Sequence, residues 1–325
     1  MDPRLGTAIL VLVGIPAVIV GYIYGTEVVL RALPERQRGR LRPWLWLLPA
    51  LLFLFVFLVW PTVLTIARSF QGAVAGTFVG LDNYAWFFTS SDALISLRNN
   101  LMWVVLLTVF TVGLGLLIAV LVDRVRYESV AKAIIFVPLA ISMTAAGVIW
   151  RFMFEYQSPG QPQTGTLNGI LAVFGINPVA WLQVETLGLN TVFLIIVMTW
   201  MWTGFAMVIL SAALKGISAE LLEAARVDGA TEWQVFRRIV FPLLLPTIAV
   251  VSTTIVITAL KAFDIVWVMT GGNFNTDVIA SQMIKEMFQF GNFGRGSALA
   301  VILLIAIVPV MLININRFRA QEAIR

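Results

Sequence analysis

Long apolar runs alternate with short polar segments along this chain of 325 residues. A bilayer core about 30 Å thick requires roughly 20 apolar residues for each helical span. Seven runs are long enough to be membrane-spanning helices: 5–29, 44–67, 100–122, 133–154, 191–214, 243–266 and 297–316. The pattern therefore predicts an all-α polytopic membrane protein with about seven transmembrane helices.

Composition supports the same class. Hydrophobic residues make up 60% of the chain, charged residues 12%, and the mean hydropathy is +0.93, which is outside the usual range of soluble proteins. Cysteine and histidine are both absent, which excludes disulfides, thiolate chemistry and the commonest zinc ligands. We expect no metal site and no catalytic residues in this chain. The first run is interpreted as a retained helix because no small-residue cleavage site follows it.

One segment, 218–242, is polar and carries helix-capping signals. Ser218 is a candidate N-cap, and Asp228 with Gly229 is a candidate helix end, since glycine tolerates the left-handed conformation found there. Thr231, with Gln234 as its capping-box partner, begins a second helix, and Pro242 is expected to close the segment. Ala224 and Ala225 leave the first helix almost bare, and Glu223 offers a carboxylate at its edge. These features predict a docking element.

The distribution of basic residues predicts the orientation. Most of the 22 lysines and arginines lie in 31–43, 123–132, 215–241 and 317–325, and basic residues favour the cytosolic side. The N-terminus is then outside, the C-terminus is cytosolic, and 69–99, 155–190 and 267–296 are external. This asymmetry explains the net charge of +5 without a nucleic-acid partner.

The polar segment resembles the EAA loop of the permease subunits of bacterial ABC importers. Glu223-Ala224-Ala225, Gly229, Ile239 and Pro242 occupy that motif's positions, and only Phe241 departs from it, standing where leucine is usual. The resemblance implies the type I ABC importer permease fold, with 1–43 as an accessory helix and basic loop and 44–325 as a six-helix core. It also implies that five residues couple this chain to a separate ATPase subunit: Glu223, Ala224, Ala225, Asp228 and Gly229.

The resemblance also implies partners. A second permease subunit, two copies of an ATP-binding subunit and an extracytoplasmic solute-binding protein would assemble with this chain in the bacterial inner membrane, in contact with lipid. The phosphate-cradling string G-x-x-x-x-G-K-[ST] is absent. ATP and Mg²⁺ are therefore expected in the partner ATPase, and this chain binds no cofactor.

The segment after the sixth run resembles carbohydrate-uptake permeases. Phe263-Asp264, Thr270-Gly271-Gly272 and 294–298 carry this pattern, and the stretch GGNFNTDVIA is most similar to permeases for α-glucosides and related compounds such as glucosylglycerol. By register with maltose-type permeases, the positions that line the sugar path are Met198, Met201, Trp202 and Phe205 in the fifth run and Ile255, Thr258, Ala259 and Ala262 in the sixth. Met198, Met201, Trp202, Phe205 and Thr258 are taken as the candidate residues of the sugar path. The span-six positions are largely apolar or small here, so two alternatives stay open: a sugar other than maltose, or a site that lies mainly in the partner permease.

Lys261 and Asp264 are three residues apart in the sixth run and are therefore expected on one helical face. Charges at bilayer depth are expensive and should face a cavity or each other. Two interpretations stay open, a pair that contacts the sugar and a structural intramembrane ion pair, of which the second is favoured.

Two other classes of function remain as alternatives. A secondary transporter or channel would show inverted repeats with broken helices or a selectivity filter. A membrane enzyme would need a cluster of acidic, histidine or serine groups. Neither signal is recognised in the sequence, which favours the importer permease.

Overall fold

A computed structural model describes residues 3–123 and 125–322. Residues 1–2, 124 and 323–325, which include both chain ends whose side of the membrane is predicted above, lie outside the described residues. The regular elements of the described residues are all helices, and the only strand-like pairing among them is an isolated bridge between Gln71 and Phe78. The all-α prediction is confirmed.

The chain consists of two compact units, Met1–Leu64 and Thr65–Arg325. This division falls inside the second helix, later than the boundary at residue 43 predicted from sequence. The first unit contains α1 (Pro3–Ala32) and most of α2 (Glu35–Ser69). The predicted connection 31–43 is therefore helical from Glu35 onward, and only Leu33 and Pro34 separate the two helices.

The second unit contains the remaining helices. They are α3 (Asp82–Thr89), α4 (Ser91–Val122), α5 (Glu128–Ala140), α6 (Met143–Met153), α7 (Thr166–Val173), α8 (Leu189–Lys215), α9 (Ala219–Val227), α10 (Glu232–Leu260), α11 (Asp264–Met269), α12 (Ile279–Ile284) and α13 (Phe293–Glu322). Among the described residues, six helices are long and apolar enough to span a membrane, or seven when α5 and α6 together form one span.

The fourth predicted span is not one straight helix. α5 and α6 meet at 97°, because Ile141 is extended and Ser142 begins a new helix by accepting a hydrogen bond from the Ala145 N–H at 3.1 Å. The sixth predicted span also ends early, since α10 stops at Leu260 rather than continuing to 266.

The prediction that Pro242 closes the polar segment is wrong. α10 runs from Glu232 through Pro242 to Leu260. Residues Phe236–Val240 form a π-helical turn in which the Phe241 N–H donates to Phe236 O. Proline lacks an N–H, and its ring crowds the carbonyl four residues earlier. The wider π turn accommodates both the missing hydrogen bond and the ring. A second π turn, Phe55–Val59, precedes Pro61 in the same way.

α8 lies at the centre of the second unit and supplies much of its buried apolar core. Two glycines allow its close contacts. A Cβ at Gly115 of α4 would lie 2.6 Å from Ala206 Cβ, and a Cβ at Gly204 would lie 2.5 Å from Ile135 O of α5. Small residues that let helix backbones approach closely are typical of helix packing in membranes.

Candidate functional site

The coupling hairpin comprises α9, the turn 228–231 and the first turn of α10, Glu232–Val235. α9 ends in a Schellman motif, in which the Gly229 N–H donates to Arg226 O and the Ala230 N–H to Ala225 O, both at 3.0 Å. Gly229 has φ = +82°, a conformation that costs little only for glycine. The predicted helix end at Asp228-Gly229 is confirmed.

The second helix of the hairpin begins with the predicted capping box. Thr231 Oγ1 accepts from the Gln234 N–H at 3.3 Å, and Gln234 Oε1 accepts from the Thr231 N–H at 2.8 Å. Arg226 Nε then donates across the bend to Glu232 Oε1 at 2.8 Å, which raises the pKa of Arg226. Ser218 stands at the N-cap position of α9, but its side chain makes no capping hydrogen bond. The bend is therefore fixed by backbone and side-chain bonds on both sides of Gly229.

The hairpin has an outer and an inner face. Glu223, Ala224, Asp228 and Gly229 are exposed, whereas Ala225 is partly buried. Ala225 packs against the hairpin's own apolar cluster around the buried Val235, Val240 and Leu244. Adjacent helical positions are about 100° apart, so Ala224 is open to a partner while Ala225 is turned partly toward this chain.

Large apolar side chains flank the outer face. Leu221 is 46% exposed, Val227 87% and Trp233 67%. Exposed apolar groups beside charged ones are typical of a protein docking surface.

A second candidate site is a cavity of about 320 Å³ between α4, α8 and the end of α10. We call it the central cavity and define it by its lining residues: Trp103, Met143, Met198, Trp202, Ile257, Thr258, Lys261, Ala262, Phe263, Asp264 and Ile265. Met198 and Trp202 are one helical turn apart on α8, and Thr258 lies on α10. Three of the five candidate residues of the sugar path thus meet at one cavity, and Ala262, a further register position, lines it as well.

The other two residues of that set do not line it. Met201 is 2% exposed and belongs to the apolar core. Phe205 packs edge-on against Trp202, with ring centroids 5.5 Å apart and planes at 77°. Phe205 therefore contacts the Trp202 ring without lining the cavity itself.

Lys261 and Asp264 line the central cavity but are not on one helical face. The helix ends between them, with Lys261 at φ −95°, ψ 10° and Phe263 at φ −147°, ψ −60°. The prediction that the two residues share one helical face is therefore wrong. Among the described residues neither side chain has an ion-pair or hydrogen-bond partner, so the structure contains no Lys261–Asp264 pair.

Trp103 and Met143 also line the cavity and were not singled out in the sequence. Phe263, noted there only as part of a family pattern, lines it as well. Trp103 lies in a uniformly apolar run, where periodicity gives no sign of which face is inward. Its indole N–H and that of Trp202 are buried without a hydrogen-bond partner in the described chain, whereas the Thr258 hydroxyl donates to Thr254 O at 2.9 Å. Buried donors are normally paired, and each exception calls for an explanation.

A multi-helix membrane chain with an exposed, well-capped hairpin and a cavity between its helices has the architecture expected of a membrane permease. Residues 111–324 match the family described as binding-protein-dependent transport system inner membrane component. The chain belongs to this family, and it is a multi-pass inner-membrane protein.

Named relatives agree with this assignment. The chain is 56% identical over 277 residues to the osmoprotective compounds uptake permease protein GgtC of Synechocystis sp., covering 85% of this chain and 99% of the relative. It is 45% identical over 282 residues to the alpha-glucoside transport system permease protein AglF of Rhizobium meliloti, covering 86% and 83%.

A solved structure has the same fold. One chain of a bacterial ABC transporter involved in the import of the acidic polysaccharide alginate superposes with a TM-score of 0.74 at 25% identity. The match covers 88% of this chain and 99% of the other. The predicted type I importer permease fold is confirmed.

Proposed function

We propose that this chain is one of two permease subunits of an ATP-driven importer for a neutral glycoside of the α-glucoside type. The observation that carries the substrate class is its identity to the two permeases for osmoprotective compounds and alpha-glucosides. The chemistry of the central cavity supports it.

Glycosides bind to apolar, aromatic surfaces through their C–H faces and to a few polar groups through their hydroxyls. The central cavity offers Trp103, Trp202 and Phe263 as aromatic rings, with Thr258 as a hydroxyl and Lys261 and Asp264 at its edge. This mixture of an apolar wall and few polar groups is typical of small-molecule sites. The unpartnered indole donors would gain acceptors when sugar hydroxyls enter.

We also propose that the coupling hairpin docks on a separate ATPase subunit, which holds ATP and Mg²⁺. The exposed carboxylates Glu223 and Asp228 and the exposed Val227 and Trp233 form the contact surface. A second permease completes the path, and an extracytoplasmic solute-binding protein delivers the sugar. The hairpin then faces the cytosol, and the loops after α6 and α10 face outward.

The substrate path is tested by a matched pair of variants on α8. Trp202→Ala removes a ring that lines the cavity, whereas Phe205→Ala removes an aromatic residue that packs behind it. We expect Trp202→Ala to raise the KM for α-glucoside uptake about tenfold, equal to about 1.4 kcal/mol of lost binding. Phe205→Ala should have a smaller effect.

The measurement is uptake and binding-protein-stimulated ATPase activity of the purified complex in vesicles. If Trp202→Ala and Phe205→Ala both leave uptake unchanged, the sugar path does not use this face of α8 and lies in the second permease. If neither α-glucosides nor glucosylglycerol are taken up by the wild-type complex, the substrate class is wrong.

A further inference from the structure

A basic turn joins the two apolar helices of the first unit. It contains Arg31 at the end of α1 and Arg36, Arg38, Arg40 and Arg42 in the first turns of α2. The accompanying carboxylates are Glu27 and Glu35. The structure divides the five arginines into two groups with different surroundings.

Three of the arginines are used within the helix pair. Arg38 caps the end of α1, with Nε donating to Leu30 O at 2.9 Å and Nη2 donating to Arg31 O at 3.1 Å and Leu33 O at 3.3 Å. Arg31 and Arg42 both pair with Glu27, at 3.6 Å and 3.4 Å. These contacts satisfy the last carbonyls of α1 and tie α1 to α2.

The other two are free. Arg36 and Arg40 are exposed, and neither has a hydrogen bond or ion pair with any residue that the structure describes. They are one helical turn apart on the same face of α2 and, with Pro34 and Gln37, surround a concave site of about 520 Å³. Two guanidinium groups and an amide therefore converge on one space, while the neighbouring arginines are occupied elsewhere.

The depth of this site follows from the helix that carries it. Trp44 and Trp46, 66% and 42% exposed, begin the apolar part of α2, and exposed tryptophans mark the membrane–water interface. Arg40 lies four residues before Trp44, a rise of about 6 Å along the helix. The two free guanidinium groups are thus at the level of the lipid headgroups, just outside the tryptophans.

We propose that Arg36 and Arg40, with Gln37, bind the headgroup of an anionic phospholipid. A guanidinium donates two parallel hydrogen bonds to a phosphodiester, and basic clusters next to a membrane span attract anionic lipids. A zwitterionic headgroup is disfavoured because its own ammonium already neutralises the phosphate. The lipid would anchor the α1–α2 pair at a fixed depth and rotation.

The test uses the purified full-length protein in detergent, titrated with short-chain phosphatidylglycerol and with phosphatidylcholine, with bound lipid counted by native mass spectrometry. Arg36→Gln/Arg40→Gln should weaken phosphatidylglycerol binding at least tenfold and leave phosphatidylcholine binding unchanged, since each basic residue near a membrane surface contributes about 1 kcal/mol. The matched control is Arg237→Gln/Arg238→Gln, which removes the same charge from two exposed arginines of the second unit and should leave binding within about twofold.

Three results would overturn the proposal. Equal losses in both double variants would mean that binding follows net charge and needs no site. Displacement of the lipid by millimolar inorganic phosphate would mean that the arginines hold a free anion. Phosphatidylglycerol binding that is unchanged in Arg36→Gln/Arg40→Gln would mean that these two arginines do not hold the lipid.

Discussion

At the scale of single residues, the buried Glu286 makes a contribution to stability that depends on pH. Its side chain is 4% exposed, its Oε2 has no hydrogen-bond partner in the described chain, and Arg295 Nη1 lies 3.9 Å away. Burial raises the pKa of Glu286, and Arg295 and a weak hydrogen bond from Gln282 offset the shift in part. A carboxyl whose pKa is raised on folding stabilises the fold at pH below its ordinary value, and this contribution is lost as pH rises through the folded-state pKa.

We therefore expect Glu286→Gln to be more stable than the wild type at neutral pH, because the amide avoids the cost of a buried charge. The Tm should rise by about 2 °C at pH 7, and the difference should shrink as pH falls toward the ordinary range of a glutamate. Thermal unfolding between pH 4.5 and 8 measures this. Glu220→Gln, at an exposed position of α9, is the control, and a lower Tm for Glu286→Gln at pH 7 would contradict the prediction.

At the scale of elements, the contact between α4 and α8 depends on one glycine. A Cβ at Gly115 would overlap Ala206, whereas a Cβ at Gly113, on the same helix, would meet nothing within 4 Å. We expect Gly115→Ala to lower stability by about 1–3 kcal/mol through overpacking.

The same change at Gly113 should be neutral or should stabilise by up to about 1 kcal/mol, because alanine is the better helix former. Thermal unfolding of the two purified variants makes the comparison. Equal Tm values for both would show that α4 and α8 can separate at no cost, contrary to the packing described.

The hairpin is the second element with a sharp prediction. Glu223→Lys reverses the exposed carboxylate at the centre of the proposed docking face, so the complex should assemble weakly or hydrolyse ATP without transport. Glu220→Lys makes the same charge change on the same helix. It is the harsher change for α9 itself, because a cation in the first turn opposes the helix dipole.

Transport and ATPase assays on reconstituted vesicles separate the two variants. We expect Glu220→Lys to retain most activity and Glu223→Lys to lose coupled transport. Wild-type transport by Glu223→Lys would remove the coupling role from this residue.

At the scale of the whole molecule, the orientation in the membrane stays a prediction. The basic segments 31–43, 123–132 and 215–241 share one side if the charge rule holds, which places the hairpin in the cytosol. A cysteine placed at the exposed Ser218, in a chain that has none of its own, should react with a membrane-permeant maleimide and be protected from an impermeant one in intact cells. A cysteine at Phe274, in the loop after α11, should react with both, and the reverse pattern would invert the topology.

The sequence was sufficient for the class of fold and for the hairpin because both depend on local rules. Apolar runs of spanning length must be helical in a bilayer, since unpaired backbone groups cannot be left in lipid. The Schellman end at Gly229 and the capping box at Thr231 involve neighbouring residues only, so their sequence signals and their geometry coincide. The resemblance to importer permeases depended mainly on the same short stretch.

Tertiary structure decided where helices break and which residues meet. Helix periodicity cannot locate the ends of a uniformly apolar run, so the stop at Leu260 and the bend at Ser142 were missed. The meeting of Trp103 with Trp202 and Thr258 depends on the packing of three helices that are far apart in sequence. The partial burial of Ala225, the contact of Phe205 with Trp202 and the different surroundings of Arg36 and Arg40 have the same cause. The partners of a side chain are set by where the helices pack. An apolar sequence specifies that packing through the shape and volume of its side chains, which periodicity does not reveal.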